Sequence, residues 1–422
     1  LSFAVADYAD YSIYAHPNQM EPDSLLIQNF LYNDIAHIES KKESIGKTAE
    51  IMELYSELFG LYPFHQEKYG HCETQLGGGM EHQTMSTMGN FSFHLIAHEL
   101  GHMWFGDNVT CATWSDIWIN EGFATYSDYL ANEFLKGSEA AKDFIVGAQE
   151  HAMSVDGGGV YLPEEYVYPG NEWRIFSGRL SYDKGAAIIH MLRHEIQDDE
   201  MFFNVLKTFQ INYGGGTATG EDFKHIAEEV TGLDFEQFFN QWYYGHGFPK
   251  YSFVYWNDDQ NMFYLSSTQT ASSPSPTLFN MLIDFRLSFD DGTDTLVRFI
   301  QTENLNVFSM DFDKKVVNVE VDPFHWTMEQ VSGISYINET AISSIYFTVG
   351  PNPVGKKLNV YFLNPDTSTR SIIITNINGQ KIYQGETTDN KFELVASSLE
   401  SGIYFISVSD GSNSITKKFV KQ

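Results

Sequence analysis

Basic residues and cysteines are scarce in this chain of 422 residues. Its 25 lysines and arginines stand against 56 aspartates and glutamates, which gives a formal net charge of −31. Such an excess of negative charge argues against binding to nucleic acid and to anionic membrane surfaces. The two cysteines, Cys72 and Cys111, are too few to make the chain a disulfide scaffold. They could be two buried thiols or one disulfide.

Long apolar runs and a signal-peptide pattern are also absent. No run approaches the roughly 20 apolar residues that a membrane-spanning helix needs, so we expect no membrane span. The chain opens on Leu1 without an initiator Met, and LSFAVADYADYSIYAHP alternates as strands do. This opening is typical of a chain cut within a sheet. We therefore expect residues 1–20 to be the last strands of a truncated N-terminal β domain.

Helical periodicity is present from about Ser44 to Gly247. The segment SYDKGAAIIHMLRHEI predicts one helix with Ser181 as its N-cap. Thr219 with Asp222 predicts a capping box at the start of another. Two further helices are indicated by apolar residues at helical spacing, namely Ile51, Leu54, Tyr55 and Leu58 before Gly60, and Phe123, Tyr126, Leu130 and Phe134 before Gly137.

Beyond Gly247 the apolar period changes from 3.6 residues to 2. The segments KYSFVYW, MFYLSSTQT, LIDFRLSF and DTLVRFI predict strands, and Asp291-Gly292 predicts a hairpin turn. A polar connector then leads to a final segment of short strands with a turn at Asn378-Gly379. Short strands at regular spacing favour a small β-sandwich at the C-terminal end.

The run His98-Glu99-Leu100-Gly101-His102 has the spacing of a metal site on a helix. Residues i and i+4 share a helix face, so both imidazoles can point at one ion. Glu99 lies at a neighbouring edge, where its carboxylate can reach a water on that ion without ligating it. His94, one turn earlier, is expected in the core or behind the ligands rather than on the metal.

A catalytic zinc needs three protein ligands and one open position for water. The third ligand is expected from a nearby second helix, and WINEGFATYSDYL supplies Glu121 at the start of one. Without the upstream motif, Glu121 would be interpreted as a surface glutamate stabilised by the helix dipole. With that motif we expect it to ligate zinc together with His98 and His102.

Together these residues resemble the gluzincin arrangement of the aminopeptidase N family, which includes leukotriene hydrolase. Further motifs agree in order and cover about residues 1–330. Gly78-Gly79-Met80-Glu81-His82 is similar to the family's Gly-x-Met-Glu-Asn motif, with His82 in place of the usual Asn. Tyr182-Asp183-Lys184-Gly185 is similar to the segment that bears its catalytic tyrosine. FFNQWYYGHGFP resembles the end of its helical domain, before a short β-sandwich.

The resemblance implies a zinc aminopeptidase with one Zn²⁺ ion on His98, His102 and Glu121. In this chemistry Glu99 takes a proton from the attacking water and passes it to the leaving amine. Tyr182 donates its hydroxyl hydrogen to the tetrahedral oxyanion, as the resemblance implies.

The resemblance also implies that Glu81 binds the α-amino group of peptide substrates with a free N-terminus. Gly78, Gly79 and Met80 would lie against the substrate backbone, since glycines permit close approach. The role of His82 stays open. Two alternatives also remain, a zinc endopeptidase on the same scaffold and an inactive zinc-stabilised surface binding protein.

The C-terminal segment resembles the sorting domain of proteins exported by the type IX secretion system. The similar pieces are Pro351-Asn352-Pro353, the Asn378-Gly379 turn, SGIYFISV and the basic end KKFVKQ. The resemblance implies a partner in the type IX secretion machinery and a bacterial protein that is secreted or attached to the cell surface. In that compartment Cys72 and Cys111 could form a disulfide. A carbohydrate- or protein-binding β-module is the rival interpretation.

We therefore expect a multidomain α+β protein. Its predicted parts are the N-terminal strands at 1–20, a thermolysin-like, mainly helical catalytic domain at 21–247, a small β-sandwich at 248–331, a linker at 332–345 and an Ig-like β-sandwich sorting domain at 346–422. A second glycine run, Gly157 to Gly159 in VDGGGVYLP, is predicted to be a loop near the mouth of the cleft.

Overall fold

The computed structural model describes residues 2–258, 261–337, 346–362, 369–411 and 414–422. They form two compact units, one of residues 1–247 with 324–328 and one of residues 248–323 with 329–422. Of the linker predicted at 332–345, residues 338–345 lie outside the described residues. Within the described ranges, no helix combines the length and the hydropathy that crossing a membrane requires.

The first unit contains the α-helices. They are α1 (Ile35–Phe59), α2 (Phe93–Gly101), α3 (Trp118–Lys136), α4 (Ser138–Ala152), α5 (Glu172–Ile175), α6 (Gly185–Ile196), α7 (Asp199–Tyr213), α8 (Gly220–Thr231) and α9 (Glu236–Trp242). The predicted helix ends at Gly60 and Gly137 are confirmed, with φ of +100° and +95° at the two glycines. The capping box is confirmed too, because Thr219 and Asp222 exchange side-chain and backbone hydrogen bonds.

One predicted helix start is wrong. Residues Gly178–Lys184 form a π-helical turn, and α6 begins only at Gly185. The hydroxyl of Ser181 does not cap this helix, since it donates to the carbonyl of Ile175 at 2.7 Å. π-Helical turns are rare and often occur at functional sites.

A five-stranded sheet lies in the same unit, in the order β1-β2-β3-β5-β4. Its strands are β1 (Tyr8–Ala15), β2 (Leu25–Tyr32), β3 (Tyr69–Glu73), β4 (Gly79–Met80) and β5 (Ser86–Met88). Strands β1 and β2 pair antiparallel along their whole length. The boundary predicted between the N-terminal strands at 1–20 and the catalytic domain at 21–247 therefore falls between two paired strands of one sheet. The short strand β4 pairs only with β5 and forms the edge of the sheet.

Of the two alternatives left open for the cysteines, the structure has two free thiols, Cys72 and Cys111. Cys72 lies on β3 of the five-stranded sheet. Cys111 ends β6 (Val109–Cys111), which pairs with β7 (Gly216–Ala218) in a separate sheet. The two cysteines therefore belong to different sheets, and the strand pairing of neither sheet places them side by side.

Helix α3 forms the centre of the first unit and packs against α2, α4 and α6. Its residues from Trp118 to Asn132 are almost all buried. Phe123 stacks on Phe105 and meets Phe223 edge to ring, with ring centroids 4.7 Å and 4.9 Å apart. Truncating a buried Phe of this kind to Ala costs about 3–5 kcal/mol of unfolding free energy. The helix that carries Glu121 is thus held rigidly.

The second unit is built of strands. They are β8 (Pro249–Asn257), β9 (Met262–Ala271), β10 (Met281–Phe289), β11 (Asp294–Gln301), β12 (Leu305–Asp311), β13 (Val316–Val321), β14 (Gln330–Tyr336), β15 (Phe347–Gly350), β16 (Lys357–Phe362), β17 (Arg370–Asn376), β18 (Lys381–Thr387), β19 (Lys391–Val395), β20 (Gly402–Ser409) and β21 (Ser414–Lys421). The predicted hairpin turns at Asp291-Gly292 and Asn378-Gly379 are confirmed by the antiparallel pairs that they join.

The strands of this unit form four sheets, ordered β11-β10-β13, β12-β9-β8-β14, β15-β16-β19 and β18-β17-β20-β21. The last two share one apolar core, in which Leu358, Ile374 and Ile406 are fully buried. Strand β14 pairs in parallel with β8, so the boundary predicted at residue 331 falls inside a strand. All seven residues of β14 are exposed, which is why its sequence gives no alternation of buried and exposed positions.

Candidate metal centre

Helix α2 brings two imidazoles together. Ser92 caps the helix by accepting the backbone N–H of Leu95 at 3.2 Å. One helical turn separates His98 from His102, and their Nε2 atoms lie 3.1 Å apart. His102 is buried and His98 is mostly buried. The pairing predicted from the four-residue spacing is present in the structure.

Glu121 completes this group from the first turn of α3. Its Oε2 lies 3.3 Å from Nε2 of His102 and 3.6 Å from Nε2 of His98. Among the described residues, these three form the one group of His, Cys, Asp or Glu side chains close enough to share a metal ion. Ligands about 2.0–2.1 Å from a tetrahedral zinc lie about 3.3 Å from one another. The donor set therefore fits zinc in spacing and in chemical type.

Backbone and side-chain contacts hold these ligands in place. Nδ1 of His102 lies 3.1 Å from the carbonyl of Phe105 and donates to it, which leaves the lone pair of Nε2 facing the group. Asn120 precedes Glu121 and accepts the backbone N–H of Cys111 with its side-chain oxygen at 3.0 Å. This bond ties the start of α3 to strand β6.

Electrostatics in the pocket favour a positive charge between the three side chains. Burial lowers the pKa of His102, but the carboxylate of Glu121 outweighs burial and raises the pKa to about 10. Burial raises the pKa of Glu121, and the imidazoles of His102 and His98 outweigh it and hold that pKa well below its usual range. A divalent cation in this position would balance the charge of the Glu121 carboxylate while the histidine ligands stay unprotonated.

Glu99 lies beside this group and is 4 % exposed. Its Oε2 has no hydrogen-bond partner among the described residues. Burial raises the pKa of Glu99 to about 7, against the opposing effect of His102 and His98. A buried carboxylate with an unused oxygen next to a metal site has the properties of a proton acceptor.

The glycine run passes directly over Glu99. A Cβ atom built on Gly79 would lie 2.2 Å from Oε1 of Glu99, whereas one on Gly78 would meet nothing within 4 Å. A side chain at position 79 would therefore displace Glu99 or the strand, and position 78 carries no such restriction. Met80 is partly exposed at the sheet edge, and Glu81 next to it is half-buried and raises the pKa of both Glu99 and His102.

Tyr182 lies on the π-helical turn, against the metal group. Its ring stacks on the imidazole of His98, with centroids 5.8 Å apart and planes 7° apart. Burial and the carboxylate of Glu121 raise the pKa of Tyr182 far above its usual value. The hydroxyl is therefore protonated at neutral pH and can act as a hydrogen-bond donor.

Two further histidines have their own partners. Nδ1 of His94 lies 3.1 Å and 3.2 Å from the two carboxylate oxygens of Asp128, so His94 stands outside the metal group. Its side chain is exposed, so the core position offered for it is wrong. Nδ1 of His82 lies 2.9 Å from the hydroxyl of Thr87, across the β4–β5 ladder. This contact holds the side chain of His82 within the β4–β5 hairpin, which also contains Glu81.

Sequence reasoning missed Asp107 near the site. The backbone N–H of Asp107 donates to the carbonyl of His102 at 2.9 Å. Its Oδ2 is buried without a partner in the described part of the chain, and burial raises its pKa to about 7. No pattern in the local sequence distinguishes Asp107 from other loop aspartates.

Comparison with known proteins gives two family matches. Residues 43–242 match the model of the peptidase family M1 domain, and residues 348–422 match that of the secretion system C-terminal sorting domain. Aminopeptidase M1-D of Oryza sativa subsp. japonica is 31% identical over 165 residues, which are 36% of this chain and 18% of that protein. Aminopeptidase N of Lactococcus lactis subsp. cremoris is 30% identical over 158 residues, 37% of this chain and 19% of that protein. The matched region is thus about a fifth of the length of these relatives.

Among solved structures, the chain is similar to the crystal structure of Legionella pneumophila aminopeptidase A in complex with aspartic acid. The TM-score is 0.64 at 17% sequence identity, over 78% of this chain and 38% of that one. At this identity the likeness shows a shared fold.

Proposed function

We propose that this protein is an exported zinc aminopeptidase, because residues 43–242 match the model of the peptidase family M1 domain and residues 348–422 match that of the secretion system C-terminal sorting domain. It removes N-terminal residues from peptides. The relatives named aminopeptidase support peptide hydrolysis. The geometry around Glu99 supports cleavage at the N-terminal end of the substrate.

His98, His102 and Glu121 would hold the zinc ion, since their donor atoms have the spacing of tetrahedral ligands. When bound there, zinc supplies a water of lowered pKa and polarises the scissile carbonyl. The Phe105 carbonyl holds Nδ1–H of His102, so Nε2 faces the site and becomes a ligand when it gives up its proton to the solvent on zinc binding.

Glu99 moves the proton. Its unpartnered Oε2 is free to accept a hydrogen from the attacking water and to return it to the leaving amine. Tyr182 donates its hydroxyl hydrogen to the oxygen that becomes negative in the transition state. A protein that used zinc only as a structural element would need the three ligands but neither of these two groups.

Glu81 sets the position of the substrate. The observation that carries the proposal is the contact between Gly79 and Glu99, where a Cβ atom would come within 2.2 Å of the carboxylate. Strand β4, whose last residue Met80 directly precedes Glu81, therefore runs past the proton acceptor. An α-ammonium group bound by Glu81 leaves the first peptide bond beside Glu99. The free edge of β4 can pair with the peptide backbone, as edge strands do in peptide recognition.

Replacing Glu81 with Gln tests this assignment. The wild-type protein is expected to hydrolyse a peptide with a free N-terminus at least about 100-fold faster than its N-acetylated twin, since the pairing of ammonium with carboxylate is lost on acetylation. In Glu81→Gln this preference should fall by about 10-fold or more. Values of kcat/KM for both peptides give the ratio. An equal rate on both peptides in the wild type would favour the endopeptidase alternative.

The C-terminal domain supports export through the type IX machinery, with the protein ending outside the cell or on its surface. Its two sheets close over one apolar core, which is the architecture of an Ig-like sandwich. In that location the peptidase domain would act on extracellular peptides.

A further inference from the structure

The second glycine run has no part in the reaction described so far. Gly157 and Gly158 follow α4 and have φ of +80° and +86°, a backbone conformation that favours glycine. A Cβ atom on Gly158 would lie 2.7 Å from Nη2 of Arg179 and 2.8 Å from Cδ2 of Leu180. This loop therefore lies directly against the π-helical turn that bears Tyr182.

Cationic side chains fasten the loop through its carbonyl groups. Nη1 of Arg179 donates to the carbonyl of Gly157 at 3.3 Å, and Nζ of Lys184 donates to that of Gly158 at 2.7 Å. Arg179 also donates to the carbonyls of Ala152 and Val155. Arg179 and Lys184 belong to the π-helical turn, three residues before Tyr182 and two residues after it.

Neither Arg179 nor Lys184 forms an ion pair with a carboxylate in the part of the chain that the structure describes, although acidic residues outnumber basic ones 56 to 25. Lys184 is 1 % exposed, and burial lowers its pKa to about 7. Burying a lysine is costly unless its donors are satisfied, so the carbonyl of Gly158 in the loop and that of Gly247 after α9 are needed where they lie.

A fifth contact fastens the same turn to the end of α4. Nδ1 of His151 lies 2.5 Å from Oδ2 of Asp183, the residue next to Tyr182. Three of the seven residues of the π-helical turn thus use their side chains to hold segment 151–159. A π-helical turn is rarely stable by itself and persists where its surroundings hold it.

We propose that segment 151–159 is a positioning element for Tyr182. It acts by fixing the turn that carries the hydroxyl donor. The inference rests on the proposed function, because it takes Tyr182 to be the group that stabilises the oxyanion. Its physical basis is that a shift of about 1 Å in a reacting group can lower a rate by about 100-fold.

Two glycine substitutions separate positioning from local strain. Gly158→Ala and Gly157→Ala both force an alanine into the left-handed region, but a Cβ atom on Gly157 meets nothing within 4 Å. Gly158→Ala is expected to lower kcat for a free-amine peptide about 10-fold or more, with KM changed less than about 3-fold and zinc content unchanged. Gly157→Ala, the matched control, should stay within about 3-fold of the wild type.

A double-mutant cycle with Tyr182→Phe shows whether the effect passes through Tyr182. If it does, Gly158→Ala should change kcat by less than about 2-fold in the Tyr182→Phe background. Equal losses in both backgrounds, or equal effects of Gly157→Ala and Gly158→Ala, would overturn the proposal. Failure of the wild type to cleave free-amine peptides would instead overturn the proposed function.

A milder variant covers the case in which Gly158→Ala does not fold. His151→Ala removes the partner of Asp183 at a residue that is exposed, so the fold should tolerate it. It is expected to lower kcat about 3-fold to 10-fold in the wild-type background and to have no further effect with Tyr182→Phe. His151→Asn, which can donate from about the same place as Nδ1, should recover part of kcat. A loss in the Tyr182→Phe background equal to that in the wild type would contradict the inference.

Discussion

Replacing Glu99 with Gln is expected to lower kcat about 10³-fold while one zinc ion per chain remains bound. The substitution keeps the size of the side chain and removes its capacity to accept a proton, which is worth about 10²–10⁴ in rate. His98, His102 and Glu121 are untouched, so the site keeps its three donors. The measurements are kcat on a peptide with a free N-terminus and metal content by elemental analysis.

Asp107→Asn is the matched control for this substitution. Asp107, like Glu99, is a carboxylate with a buried oxygen that has no partner within the described ranges, and it lies in the loop that follows His102. None of the glycines from Gly77 to Gly79 approaches Asp107 as closely as Gly79 approaches Glu99. Asp107→Asn is expected to lower kcat by less than about 10-fold. Full activity in Glu99→Gln would refute the proton-transfer role, whatever the control does.

Replacing Gly79 with Ala is expected to lower kcat/KM about 100-fold. The added methyl group would lie 2.2 Å from Oε1 of Glu99, so the carboxylate, the strand or both must move. Displacement of about 1 Å at the reacting groups has an effect of this size. Zinc content should be unchanged, because the three atoms nearest to the new methyl group all belong to Glu99, which is not one of the three ligands.

Gly77→Ala provides the control within the same glycine run. A Cβ atom on Gly77 meets nothing within 4 Å, so this variant should stay within about 2-fold of the wild type. Equal activities of the Gly77 and Gly79 variants would mean that the close approach to Glu99 has no role in catalysis. The contrast between the two positions is a property of the fold, since the sequence shows three identical glycines.

The sequence predicted the parts of the site that depend on local spacing. His98 and His102 share a face because they lie one turn apart on a helix that forms where it was expected. Glu121 required a second helix to return to the first, which local periodicity cannot show. It was assigned from the need of a catalytic zinc for a third protein ligand. The convergence of all three side chains agrees with that prediction.

What could not be predicted depends on contacts between distant segments. Ser181 has the sequence context of an N-cap, but its hydroxyl finds the carbonyl of Ile175, and the turn around it is held by Arg179 and Lys184. Strand β14 is hidden from pattern analysis because both of its faces are exposed. The disulfide hypothesis followed from compartment chemistry, and the placement of Cys72 and Cys111 on different sheets overrides it.

Zinc dependence and the need for a free amino group are tested together by one measurement. The wild-type protein is stripped of metal with a chelator, and a peptide with a free N-terminus and its N-acetylated twin are assayed before and after one equivalent of zinc is restored. We predict no turnover of either peptide without metal. Restoring zinc should restore hydrolysis of the free-amine peptide, and the acetylated peptide should be hydrolysed at least about 100-fold more slowly. Turnover that survives the chelator, or equal recovery on both peptides, would contradict a zinc aminopeptidase.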